Sequence, residues 1–163
     1  MEDRYLFKAK RLDNGEWEIG SLIILPNGEC EIWNRCNNPP DSDPMWRRCV
    51  ITHKVEPSTI CQCTGKRDKH NHLIFENDLM DGFIYPYLSG LDSEHDYFAE
   101  VCWCDDITGF GICTHKYKNS DVRGSAYGDV DLIEDFDSSK WEVIGNIFDN
   151  PELLESDEQY DRE

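Results

Sequence analysis

Short β-prone runs alternate with turn residues along most of this chain, a pattern that admits hairpins and leaves little room for long helices. Tyr5-Leu6-Phe7-Lys8-Ala9-Lys10 and Trp17–Leu25 read as two strands joined through Asp13-Asn14-Gly15, a turn sequence that tolerates positive φ. Pro26-Asn27-Gly28 makes the next turn, ahead of the alternating strand Cys30–Trp33. Residues 37–44, Asn-Asn-Pro-Pro-Asp-Ser-Asp-Pro, form an exposed loop, because three prolines remove donors and fix φ.

Further strands are expected at Arg48–His53, Thr59–Cys63, His72–Phe75 and Tyr97–Cys104, with Gly109–His115 as hairpin partner of the last. Residues 86–96 and 119–129 are polar, aperiodic and glycine-bearing, as surface loops are. Ser138–Phe148 reads as a final strand. After it, Asn150 as N-cap and Pro151 at the first helical position predict a short C-terminal helix. The expected fold is mainly β: a small antiparallel barrel-like or sandwich-like domain over 1–155, with an acidic disordered tail over 156–163. If there are two β lobes, they divide near 37–58.

At 163 residues the chain is long enough to bury about 70% of its unfolded surface without a staple. Aromatics at 12% are too many for a disordered chain, and a mean hydropathy of −0.67 with no long apolar run argues against a membrane span. Met1-Glu2-Asp3-Arg4-Tyr5 lacks the basic start and apolar core of a secretory signal, so a cytoplasmic location is expected. In that reducing setting the eight cysteines read as thiols. The net charge of −18 is uneven: residues 1–54 carry 8 basic and 9 acidic groups, residues 129–163 carry 2 and 13. Such a field repels phosphate backbones, which disfavours direct nucleic-acid binding.

Two stretches carry a resemblance. They are Gln62-Cys-Thr-Gly-Lys-Arg-Asp-Lys-His-Asn-His-Leu-Ile-Phe-Glu-Asn-Asp78 and Trp141-Glu-Val-Ile-Gly-Asn-Ile-Phe-Asp-Asn-Pro-Glu-Leu-Leu154. With the opening Phe7-Lys8-Ala9 to Gly20-Ser21-Leu22, they resemble the YopX family of phage and prophage proteins. The family's middle motif usually reads T-G-x-x-D-x-N-G-x-x-I-Y/F-E-G-D. Here Asn71 and Asn77 replace its second and third glycines, and asparagine is the non-glycine residue that best tolerates left-handed backbone. The resemblance implies a compact β-rich accessory protein of phage origin and implies no particular reaction or cofactor.

Candidate chemistry is sparse. Cys61-x-Cys63 and Cys102-x-Cys104, with Cys113-x-His115, place thiols on one face of a strand, where they would converge on zinc only if two pairs met. An extended strand separates such Cβ atoms by roughly 6.5 to 7 Å, whereas zinc ligands sit on tight turns, so buried reduced thiols are the favoured reading. His70-Asn71-His72 matches the letters of a nuclease signature and reads as a hairpin tip. Asp105-Asp106, Glu134-Asp135 and Asp129-x-Asp131 are carboxylate pairs that an acidic composition generates by itself. No glycine-flanked serine elbow or phosphate-cradling loop is present, so no enzymatic activity is expected.

Of the five tryptophans, Trp17, Trp33, Trp103 and Trp141 fall in strand-like segments and are expected in the core. Trp46 with Arg47 and Arg48 flanks the proline-rich loop in a mixture enriched at interfaces. The expected function is therefore binding to a host or phage protein. The candidate surfaces are Trp46-Arg47-Arg48 and the carboxylates Asp129, Asp131, Glu134, Asp135 and Asp137, the acidic face acting as a nucleic-acid mimic. Sequestration of a small, nucleotide-like ligand is the alternative. Oligomeric state is open.

Overall fold

A computed structural model describes residues 3–35, 50–82, 97–106, 108–117, 130–132 and 140–154. Its strands are β1 (Phe7–Lys10), β2 (Trp17–Ile24), β3 (Cys30–Arg35), β4 (Val50–Val55), β5 (Cys61–Arg67), β6 (Leu73–Phe75), β7 (Asp78–Gly82), β8 (Tyr97–Cys104), β9 (Gly109–Tyr117), β10 (Val130–Leu132) and β11 (Trp141–Asn146). They form two antiparallel sheets, ordered β4-β3-β2-β1-β5-β6 and β10-β9-β8-β7-β11. The chain divides into two compact units, Met1–Gly65 and Lys66–Glu163, and the division falls inside β5. Among the described residues no helix is long and apolar enough to cross a membrane.

In the first unit the two expected turns deliver two hairpins. Gly15 and Gly28 take φ of 74° and 85°, the left-handed values their turns require. Strand alternation then directs Ala9, Cys30, Ile32 and Val55 to one face, where they form a buried cluster with Phe7, Leu22 and Ile60 packed against it. Full burial of a side chain such as Ile32 or Val55 contributes about 1.5 to 3 kcal/mol.

The expected barrel-like closure is not found among the described residues. Only one bridge, Arg11 to Val55, returns β4 toward β1. β1 is short: its second edge pairs with β5 at Phe7 and Lys8, and the bridge to β4 is made at Arg11, just past its end. Leu12 N donates to Lys54 O at 3.0 Å and Glu56 N to Lys10 O at 2.8 Å around that bridge.

The second unit is built on β7, a strand that the sequence reading did not anticipate. Asp78-Leu79-Met80-Asp81-Gly82 has weak β propensity, yet it lies between β8 and β11 with its first three residues buried. Met80 packs with Ile74, Ala99, Val101, Ile112 and Trp141, and Phe110 and Val143 lie against that cluster. β10 was also unanticipated, being only three residues paired to the outer edge of β9.

The C-terminal helix is replaced by one 3-10 turn, Pro151–Leu153. Asn150 makes no capping bond. Its Oδ1 instead accepts from Asn146 N at 3.3 Å, so the side chain expected to start a helix holds the end of β11.

Trp141 lies opposite Gly82 in the register, and a Cβ at position 82 would overlap the indole ring. Gly82→Ala should therefore displace Trp141 from the second core and lower stability by about 2 to 3 kcal/mol. Denaturant titration followed by tryptophan emission measures this, and a variant as stable as the parent would contradict the packing described.

Candidate functional site

Asp68 organises the polar residues of the second unit. It follows β5 at the head of the Asp68–His72 turn, and its buried carboxylate is aimed back at that turn's own amides. Oδ1 accepts from His70 N at 2.9 Å and His72 N at 2.8 Å, while Oδ2 accepts from Val143 N on β11 at 3.2 Å. Burial alone would push this carboxyl up. The amides of His72, Val143 and His70 outweigh that cost and hold it below the usual carboxylate range. Lys69 N donates to Trp141 O at 2.9 Å, a second tie between the turn and β11.

The remaining motif residues serve the same end. Asn71 and Asn77 take φ of 67° and 64°, so both asparagines stand in the left-handed turn positions expected of them. Asn77 N donates to Val101 O at 2.7 Å, and its carbonyl accepts from Ile147 N at 3.1 Å. Asp78 Oδ2 accepts from Phe75 N at 2.8 Å, closing the turn between β6 and β7. Asn146 Oδ1 accepts from Phe148 N and Asp149 N, both at 3.0 Å, and shapes the turn after β11.

Around this frame lie charged side chains. Glu142 meets Lys69 Nζ at 3.0 Å and His70 Nε2 at 2.9 Å, and these two, Lys69 first, hold its carboxyl below the usual range. His72 Nδ1 is 3.4 Å from Asp68 Oδ2. Both imidazoles are exposed, so the His70-Asn71-His72 triplet is a surface hairpin tip. In the first unit Arg11 binds Asp13 through two bonds of 2.9 and 2.6 Å. Asn34 Nδ2 donates to Glu18 Oε1, a reach that bare Gly20 permits, since a Cβ there would overlap Asn34 Oδ1. His53 Nδ1 lies 3.1 Å from Glu18 Oε2 but out of line for a hydrogen bond.

Of the residues expected to form a site, Trp46, Arg47, Arg48, Asp129, Glu134, Asp135 and Asp137 lie outside the described residues. Asp131 is on β10, paired through its backbone with Ile112. No disulfide joins the described cysteines. Cys61 and Cys63 are buried on β5, and Cys61 Sγ donates to Thr59 O at 3.4 Å. Cys102 and Cys104 lie on one face of β8, with Cys113 nearby on β9. Burial, reinforced by the neighbouring thiols, pushes Cys102 up to about 12, and burial raises Cys113 as well. Such thiols stay protonated at neutral pH. Among the described residues no three His, Cys, Asp or Glu side chains are grouped to hold a metal ion.

The tryptophans depart from expectation. Trp141 is buried, and Trp17 is half-buried with Lys8 and Lys10 ammoniums over its ring at 5.0 and 5.5 Å. Trp33 and Trp103 are instead 37% and 44% exposed. The strand pattern alone did not signal this, since alternation tells which residues share a face and not which face is covered.

The model of the YopX protein family matches residues 7–155. The chain belongs to the YopX family. Asp68, Asn71, Asn77, Asn146 and Asn150 of this YopX protein all fall within the match, and their side chains or backbone conformations make the turns just described. A crystal structure of protein EF1440 from Enterococcus faecalis is similar at 19% identity, covering 91% of this chain and 96% of that one with a TM-score of 0.42. No curated protein matches the chain.

Because Asp68 is held below its unfolded value, its contribution to stability is present above that value of about 3.9 and is lost as pH falls through the folded one. Asp68→Asn should cost about 2 to 3 kcal/mol at neutral pH and flatten the acid limb of stability against pH. Thermal melts across pH 2 to 7, roughly the window in which carboxylates titrate, measure both; a variant with the parent's acid limb would remove Asp68 from this role.

Proposed function

We propose that this YopX protein is a phage- or prophage-borne accessory protein that acts in the cytoplasm by binding another protein, of host or phage. The observation that supports this reading most is an exposed apolar face on the first unit. Ile19, Trp33 and Val50 are 44%, 37% and 43% exposed. Ser21, Trp33 and Thr52 are cross-strand partners, and Ile19 and Val50 stand two residues from Ser21 and Thr52, so alternation puts all three apolar residues on one side of β2, β3 and β4. Trp33 is held in place by its Nε1 bond to Glu31 Oε2 at 2.8 Å, which leaves the ring rigid and half open.

Trp46, Arg47 and Arg48 lie in the sequence between Arg35 of β3 and Val50 of β4, which are paired. Tryptophan and arginine dominate interface hot spots. The 13 acidic groups of residues 129–163, Asp129, Asp131, Glu134, Asp135 and Asp137 among them, supply long-range attraction to a basic partner. A sequence this dense in carboxylates suits a groove built for nucleic acid.

Trp33→Ala should weaken binding to a partner recovered at low salt by about 30-fold, the equivalent of roughly 2 kcal/mol at a hot spot, without a matching loss of melting temperature. Affinity measured by calorimetry against that partner tests it. Unchanged affinity in both Trp33→Ala and Val50→Lys would overturn the assignment of this face.

A further inference from the structure

We propose that the tip of the β8–β9 hairpin is a second docking element, shaped for a protein surface that offers an apolar pocket rimmed by lysine or arginine. This rests on the protein-binding reading above but not on the face of the first unit. Trp103 and Phe110 are register partners near the end of the hairpin, in edge-to-face contact with ring centroids 5.2 Å apart and planes at 83°. Phe110 packs on the second core, and the row Ala99, Val101, Trp103 runs from complete burial to 44% exposure. The core stripe thus continues into solvent at the tip.

The exposed indole is held in position. Its Nε1 donates to Asp105 Oδ1 at 3.0 Å, so its only polar atom is satisfied before any partner arrives. A ring fixed by a hydrogen bond and an aromatic neighbour loses little further freedom on docking, which favours affinity. The tip backbone is also strained. Thr108 takes φ of 52°, and its N donates to Asp105 O at 3.2 Å. A β-branched residue in the left-handed region costs about 1 to 2 kcal/mol, and strain of this kind clusters at ligand clamps. Glycine stands at the next position, Gly109, yet the left-handed residue is Thr108.

Charge selects the partner. Residues 99–113 include Glu100, Asp105 and Asp106 and contain no Lys, Arg or His. Asp105 and Asp106 are exposed beside the aromatic pair. An apolar ring flanked by carboxylates complements an apolar pocket with a cationic rim. The same carboxylates repel a phosphate backbone and an anionic bilayer.

The test is to place the photo-cross-linking residue p-benzoylphenylalanine at position 103 or at position 33 of the full chain, illuminate the cells from which the gene comes, and sequence the linked peptides. Melting curves confirm that each variant folds. Cross-linking at 103 to a peptide bordered by Lys or Arg, with the yield lowered at least about threefold by Asp105→Asn with Asp106→Asn, is the expected result, since screened charge pairs of this size carry fold-changes of that order. Asparagine matches aspartate in shape, so both substitutions remove charge with little other change. Cross-links at 33 and none at 103 would overturn the tip while leaving the protein-binding reading in place. Failure at both positions would overturn both. A linked peptide without basic neighbours, or a yield indifferent to the two substitutions, would overturn the assigned partner chemistry.

Discussion

A single buried carboxylate holds the second unit in register. Asp68 joins the turn after β5 to β11 by accepting amides from both, and a charge in that position is stable only because those donors replace the water it has lost. Trp141 is anchored in the same place, its carbonyl taken by Lys69 N and its ring laid over Gly82. The core of Ile74, Met80, Ala99, Val101 and Ile112 depends on that ring being where it is.

Within the stretch matched by the family model, the polar residues of these turns serve the architecture. Asp68, Asn71, Asn77, Asp78 and Asn146 satisfy backbone groups or supply left-handed turns. Their chemistry is absorbed within the fold, and binding is argued from other residues. Two exposed tryptophans stand out, and both are built alike: the indole N–H of Trp33 is held by Glu31 and that of Trp103 by Asp105, each a carboxylate two residues away. A ring fixed in this way presents apolar surface without an unsatisfied donor.

Much of the fold was legible because hairpins are local. Asp13-Asn14-Gly15 and Pro26-Asn27-Gly28 state their turns in their own φ preferences, and the pairing of Tyr97–Cys104 with Gly109–His115 needs only a short loop. β7 was illegible because its strand character comes from its two neighbours, with Asp78, Asp81 and Gly82 arguing locally against it. The candidate site was less legible than the fold. Trp33 and Trp103 looked like core, since a strand tryptophan carries the same local signal whether or not its face is covered, and Trp46-Arg47-Arg48 lies outside the described residues.

By itself, the sequence determined the antiparallel β class and the first two hairpins, because these follow from backbone preferences acting over a few residues, and the left-handed turns at Asn71 and Asn77 through the family motif that it resembles. Tertiary structure decided the rest. The open first sheet followed from β5 taking the edge of β1, the missing helix from Asn150 turning to Asn146, and the protonated Cys102 from its burial beside Cys104 and Cys113. The sheet edge depends on a strand distant in sequence and the thiol on burial, while the Asn150 contact spans only four residues but needs the end of β11 to be in place.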